Sequence, residues 1–228
     1  TSTIRSMART KNRPMARDVA YRFERKFEVL GLSECEVEKL VLMHPFMFTE
    51  IYHQRDVNNI YLDTHGLSAF CDNLNGSAQR TKIRIRWYGE FFGWIGKPVL
   101  EVKRKSGEVG TKEVYPLQPF AIDNGLDAGR ISEALRGSVV PSDLGEKLRS
   151  VSPTILNRYT RKYFQSCDHK FRITIDFNQI FYPFGLVYNS FLDQTCEWES
   201  VILELKHEEG LGDLAERVST RFPFHLSR

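Results

Sequence analysis

Hydrophobic and polar residues alternate with a period of two over much of this chain. The pattern runs through YRFERKFEVL (21–30), NNIYLDT (58–64), KIRIRWYGEFFGW (82–94), PVLEVKRKSG (98–107), ILNRYTRKYFQS (155–166), KFRITIDFNQIFY (170–182) and WESVILELKH (198–207). A strand sends successive side chains to opposite faces, so each segment predicts a strand with one apolar and one polar face. Segments 82–94 and 98–107 predict a paired hairpin, and EVYPL (113–117) adds another extended piece. Helical signals are fewer. Ser33 and Glu36 form a capping box that opens a short helix through Val37, Leu40 and Val41, which Pro45 ends. Asp72 to Gly76 predicts a turn. Residues 119–153 carry RISEALRG and PSDLGEKLRSV between Pro, Gly and Asp punctuation, which predicts a helical insertion covering part of the sheet. A last helix is predicted from Leu211 to Ser219. About eight strands with interspersed helices predict an α+β fold, an antiparallel barrel in one domain over residues 21–228.

The polar faces of these strands are unusual. Lys82, Arg84 and Arg86 share one parity, opposite Ile83, Ile85 and Trp87. Glu101, Lys103 and Lys105 share another, as do Arg172, Thr174 and Asp176, then Glu204 and Lys206, then Arg22, Glu24 and Lys26; Arg161 lies in RYTRKYF. A single such face is ordinarily the wet side of an antiparallel sheet. These faces, however, hold almost nothing but Arg, Lys and carboxylates, and the opposite faces are apolar enough to be covered. If the charged faces converge inside a closed barrel, unpaired charges would cost several kcal/mol each. A polyanion would remove that cost. Phosphate chains suit it, because Arg binds phosphate oxygens with two parallel hydrogen bonds and Lys adds point charge. Glu24, Glu101, Asp176 and Glu204 are then candidate ligands for a hard divalent cation bridging the phosphates. The combination fits phosphoryl transfer, which rests on positioning and charge neutralisation.

Charge distribution narrows the partners. The chain carries 32 basic and 29 acidic residues, a net charge of +3. Five of the basic residues (Arg5, Arg9, Lys11, Arg13, Arg17) lie in the first 17 positions, which contain no acid. Without that segment 27 basic residues face 29 acidic ones, so the body is not a general nucleic-acid binder. Residues 1–20 lack apolar periodicity and are expected to be a disordered basic arm. No apolar run has the length of a membrane span. Cys35, Cys71, Cys167 and Cys196 are scattered without metal spacing, as expected of reduced thiols in a cytoplasmic protein.

RFERKF, NNIYLDT, KIRIRWYG, LEVKRKSG, RYTRKYF, RITID and LELKH, in this order, resemble the VTC-type polyphosphate polymerase domain. That domain belongs to the triphosphate tunnel metalloenzyme superfamily, alongside CYTH-type triphosphatases and adenylyl cyclases. The resemblance implies a closed eight-stranded antiparallel β-barrel tunnel with helices packed outside. It implies ATP and polyphosphate as substrates, Mn²⁺ or Mg²⁺ as cofactor, and transfer of the γ-phosphate of ATP to a growing polyphosphate chain. It implies phosphate contacts from Lys26, Arg84, Arg86, Lys105, Lys112 and Arg161, to which the strand faces add Lys82, Lys103, Arg172 and Lys206. Glu204 is implied as the leading metal ligand, with Glu24, Glu101 and Asp176 beside it. The catalytic set is Lys26, Arg84, Arg86, Lys105, Arg161 and Glu204. Three departures stand out: Arg22 replaces the first Glu of the ExExK signature, Asn73 stands where a basic residue is usual, and no Lys follows Lys206. Two alternatives remain open, a tripolyphosphatase or nucleoside triphosphatase of the same fold and a non-catalytic polyphosphate or inositol-phosphate binding module.

Several residues invite a functional reading but are expected to be structural. Trp87 and Tyr88 could stack on a base, yet aromatics on strands usually belong to a core. His207 is expected at the surface of a strand end. Asp63 is expected to hydrogen-bond a turn, and Arg104 to face solvent.

Overall fold

A computed structural model describes residues 22–227 apart from 108, 186–188 and 190. The expected basic arm, residues 1–20, lies outside the described residues. The elements are β1 (Arg22–Leu30), α1 (Glu34–Leu42), β2 (Thr49–Asp63), α2 (Ser68–Leu74), β3 (Gln79–Tyr88), β4 (Gly93–Ile95), β5 (Val99–Ser106), β6 (Val109–Pro116), β7 (Phe120–Ile122), α3 (Ala128–Arg136), α4 (Ser142–Leu148), β8 (Ser152–Gln165), β9 (Phe171–Pro183), β10 (Thr195–Glu197), β11 (Ser200–Glu208) and α5 (Gly212–Ser219). The main sheet is antiparallel in the order β1-β11-β9-β8-β2-β3-β5-β6, with β10 added to β9. β4 and β7 form a separate two-stranded ribbon. No described helix is long and apolar enough to cross a membrane.

The expected closed barrel is not what the structure shows. Among the described residues no ladder joins β1 to β6, so the sheet is open with those two strands as its edges. Part of the reason lies on β1. Its free edge is taken by the chain's last turn, where Phe27 bridges Leu226 and the Ser227 N–H donates to the Lys26 carbonyl at 2.8 Å. The sheet nevertheless curls far enough that Lys103 of β5 reaches Glu24 of β1 at 2.5 Å. That contact is made by side chains, not by backbone.

The apolar face of the sheet is convex and carries two cores. At one end Phe27, Ile173, Ile175, Leu203 and Leu205 pack under α1 and α5 through Val37, Val41, Ala215 and Val218. At the other, Ile60, Ile83, Ile85, Leu100 and Val102 pack under α3 and α4 through Ile131, Leu135, Leu144 and Leu148. The capping box at Ser33 and Glu36 opens α1 as its sequence demands. α2 was not expected: a turn was predicted over Asp72 to Gly76, and none of Ser68–Leu74 was read as helix. Its first residue follows Leu67, which has φ +52° and offers no side-chain cap. Asp63 supplies the cap instead, accepting from the backbone N–H of Thr64, Ala69 and Phe70. The structural reading of Asp63 therefore holds, with a helix where a turn was expected.

Candidate active site

The strand registers place the predicted charged residues on one face, the concave one. Lys26 sits opposite Glu204, which sits opposite Thr174; Glu24, Lys206 and Arg172 form the neighbouring row. Asp176 faces Arg161 across β8 and β9. On the other wall Arg84 faces Glu101, and Lys82, Lys103 and Lys112 stand in one row across β3, β5 and β6. Lys105 pairs with Arg80, a cation missing from the sequence reading though it shares the parity of Lys82. Like charges directly opposite in a sheet repel; Glu24 and Glu101 offset Lys103 and Lys112, whereas Lys82, Lys105 and Arg80 make no ion pair among the described residues. Burial and the crowding of Lys103, Arg80 and Lys26 lower the pKa of Lys82 against the pull of Tyr61.

Two carboxylates anchor the walls. Glu101, 4% exposed, has both oxygens engaged: Oε2 accepts from Arg84 Nε at 2.9 Å and Nη2 at 2.7 Å, and Oε1 pairs with Lys112 at 2.5 Å. Arg86 stands 3.6 Å from Oε2. Burial would raise this carboxyl, but Arg84, Arg86 and Lys112 outweigh it and hold the pKa at about 2. A carboxyl that titrates lower folded than unfolded stabilises the fold above its ordinary pKa and loses that contribution as pH falls toward the folded value. The depression corresponds to roughly 3 kcal/mol. Wild type is therefore expected to lose melting temperature steeply from about pH 4.5 to about pH 2, and Glu101→Gln to show a flatter profile; equal slopes would remove Glu101 from this role.

On the opposite wall Asp176 is 6% exposed and accepts from Arg161 Nε and Nη2 at 2.5 Å each, so both its oxygens are taken. Despite its desolvation, Arg161 is held well above its ordinary pKa by Asp176, Tyr159 and Glu204. Glu204 differs. Arg161 at 3.5 Å, Lys206 at 2.9 Å and the Thr174 hydroxyl at 3.4 Å all converge on Oε2. Among the described residues nothing hydrogen-bonds Oε1. Burial would raise Glu204, yet Lys206 and Arg161 hold it well below the usual carboxylate range, so it stays ionised.

This geometry tests the expected metal ligands one by one. Among the described residues no group of three or more His, Cys, Asp or Glu is spaced to hold a metal. The four predicted carboxylates are not brought into one cluster: Glu101 and Asp176 are saturated by arginine and lysine, and Glu24 pairs with Lys103. Glu204 keeps an open oxygen beside Asp176. Mg²⁺ typically binds through one or two carboxylates plus substrate phosphates and keeps several waters. The donor set therefore fits a divalent ion that arrives with its phosphates, not a preformed protein cage.

Other placements sharpen the site. Arg86 is 4% exposed; its Nε donates to Asn59 at 2.8 Å and its Nη2 to the Tyr159 hydroxyl at 2.9 Å. Arg84 also reaches the Tyr61 hydroxyl at 3.3 Å. Asn59, Tyr61 and Tyr159 were missed by the sequence reading, although polar Asn59 inside the apolar run NNIYL was a usable signal. Lys26, Lys82, Lys105 and Arg172 make no ion pair among the described residues, which leaves their charge available. Trp87 is core, as expected, with its indole N–H donating to the Glu90 carbonyl. Gly89 follows β3 at φ +87°, where a side chain would be strained. His207 is buried, not exposed, and stacks on Phe23 at 5.5 Å. Arg104 pairs with Glu113. A cavity of about 760 Å³ opens between α2, β3, β5 and α4, lined in part by Thr81, Ile83 and Arg104 of the opposite parity, and shares only Arg80 and Lys105 with the paired rows.

A curled antiparallel sheet with arginines, lysines and an ionised carboxylate on its inner face fits a triphosphate tunnel enzyme. Within that class the chain belongs to the VTC domain family, which matches residues 17–223. Such membership implies a divalent metal. A putative adenylate cyclase from Vibrio parahaemolyticus has a similar fold, with TM-score 0.51 and 12% identity over 92% of this chain and 95% of that one. A putative adenylyl cyclase from Hippeastrum with a dominant triphosphatase activity gives 0.47 at 14% identity, over 91% and 90% of the two chains. A protein from Pyrococcus horikoshii OT3 gives 0.48 at 14%, over 91% and 94%. At these identities the likeness concerns the fold alone. No curated protein sequence matches the chain.

Proposed function

We propose that this chain is a metal-dependent polyphosphate polymerase that transfers the γ-phosphate of ATP to the end of a polyphosphate chain held on its concave face. The observation that carries the reading is the row of three lysines, Lys82, Lys103 and Lys112, in register on adjacent strands. An extended polyanion lying across that row meets the unpaired charge of Lys82 and competes with Glu24 and Glu101 for Lys103 and Lys112. Membership in the VTC domain family supports the same reading.

In the reaction a terminal phosphate oxygen of the acceptor attacks the γ-phosphorus, a new P–O bond forms, and the bond to the β,γ-bridging oxygen breaks to release ADP. No side chain acts as nucleophile. Arg84, Arg161, Lys26, Lys105 and Lys112 bind the equatorial and bridging oxygens, with Lys82, Lys103, Arg172 and Lys206 extending the grip along the chain. Arg86 is locked by Asn59 and Tyr159, so it contributes fixed positive charge from beneath the phosphates. Glu204 would hold Mn²⁺ or Mg²⁺ through its open oxygen with Asp176 behind it, and Glu24 lies one row away. A bound divalent ion would neutralise charge developing on the phosphate oxygens.

Two measurements test the reading. Tripolyphosphate is expected to raise the melting temperature in a concentration-dependent way, because it binds the folded state only, and rising salt is expected to weaken the effect. With ATP and Mn²⁺, ³¹P NMR is expected to show ADP and internal phosphate signals of a growing chain. Orthophosphate as the sole product would assign a hydrolase, and tight tripolyphosphate binding without turnover a binding module.

A further inference from the structure

One cluster on the concave face is not used by the phosphate chemistry. Arg55 extends between three tyrosines, with its guanidinium carbon 5.6 Å from the ring centroid of Tyr52, 5.0 Å from Tyr88 and 4.7 Å from Tyr163. Tyr52 and Tyr163 meet edge to face at 5.8 Å. Arg55 makes no ion pair among the described residues, and it is exposed, as are Tyr52 at 56% and Tyr88 at 49%. Two exposed tyrosines and the half-buried Tyr163 around a cation without an ion pair are not a core, and they carry none of the carboxylates that balance the arginines deeper in the face.

The strand registers fix where this cluster sits. Arg55 is opposite Arg161, and Tyr52 is opposite Tyr163. Tyr88 lies two residues from Arg86 and four from Arg84 on the same face of β3, roughly 7 and 13 Å along the strand. That span suits a nucleotide with its base at Tyr88, its sugar and first phosphate over Arg86 and its outer phosphates toward Arg84. Planar guanidinium and phenol groups stack on any base, since every base has a π-face.

We propose that Tyr52, Arg55, Tyr88 and Tyr163 form a base-stacking collar for the nucleobase of the nucleoside triphosphate donor. The inference rests on the proposed nucleotide-dependent function and assigns the base end of that donor. Stacking of this kind makes the collar tolerant among nucleobases and indifferent to phosphate chains without a base, so it separates donor from acceptor at one end of the face.

The test compares two probes by calorimetry on the full chain: the non-hydrolysable imido analogue of ATP, and tripolyphosphate. Tyr88→Ala is expected to weaken the nucleotide analogue roughly tenfold, the scale of one base–aromatic stack, and to leave tripolyphosphate unchanged. Arg55→Ala is expected to do the same with a larger loss. Tyr88 is half exposed, so its truncation leaves the core intact, and an unchanged melting temperature confirms this. Equal losses for both probes, or no loss for either, would overturn the collar while sparing the function. Failure of the wild type to bind either probe would overturn both.

Discussion

Replacing Arg161 with leucine is expected to destabilise the protein by about 3–5 kcal/mol near neutral pH, the cost of breaking one side of a buried ion pair. The cause is Asp176. With side chains 9% and 11% exposed, Asp176 and Arg161 satisfy each other through two hydrogen bonds. Burial already holds the Asp176 carboxyl above its ordinary pKa; removing the guanidinium takes away the strongest influence lowering it, so its folded pKa rises further. Such a group favours the fold while protonated and loses that advantage as pH rises from the unfolded pKa through the folded one. The Arg161→Leu variant should therefore recover stability on mild acidification, in the direction opposite to Glu101. Adding Asp176→Asn should restore most of the melting temperature at pH 7 without restoring tripolyphosphate binding. Thermal melts of both variants between pH 4 and 8 decide the matter. A single variant as stable as wild type would mean that Asp176 finds another partner, and a rescued double variant that bound tripolyphosphate normally would remove Arg161 from the phosphate site.

The same physics explains what could be seen from the sequence and what could not. Parity placed Lys82, Arg84 and Arg86 on one face because the side-chain period of a strand is fixed, whatever the sheet does next. It could not say how the charges would neutralise one another. Glu101 and Glu204 look alike in the sequence, each at the start of an acidic-then-basic alternation. Register gives Glu101 two arginines and a lysine and saturates it, whereas it leaves one oxygen of Glu204 open. Closure was also beyond reach, because it depends on which segment takes the free edge of β1, and residues 226–227 take part of it. α2 escaped because its caps come from Asp63 and Thr64, four to five residues before its first residue, and not from the N-cap position, which Leu67 holds. His207 was misplaced for a simpler reason. A polar residue ending a strand reads as surface, but here Phe23 and Phe171 cover the ring.

Glu204→Gln is expected to cut metal-dependent turnover by at least a thousandfold, the scale of losing several kcal/mol of charge stabilisation at the transferring phosphate. The same change should leave metal-free tripolyphosphate binding intact or tighter. Glutamine keeps the shape and an oxygen for Lys206 and the Thr174 hydroxyl, so the fold tolerates it. It removes the negative charge that pairs with Lys206 and, beside Asp176, with Arg161, and so competes with the incoming phosphates. Lys206 then loses its carboxylate partner and Arg161 keeps only Asp176, which favours the polyanion. The opposed signs matter, because a merely structural glutamate would lose binding and turnover together. Titration with tripolyphosphate in the presence of a chelator, followed by single-turnover assays over a range of Mn²⁺, separates the two effects. Normal turnover at saturating Mn²⁺ would shift the metal role to other oxygens of the face. Weakened metal-free binding would mean that Glu204 orders Lys206 and Arg161 for the phosphates in place of competing with them.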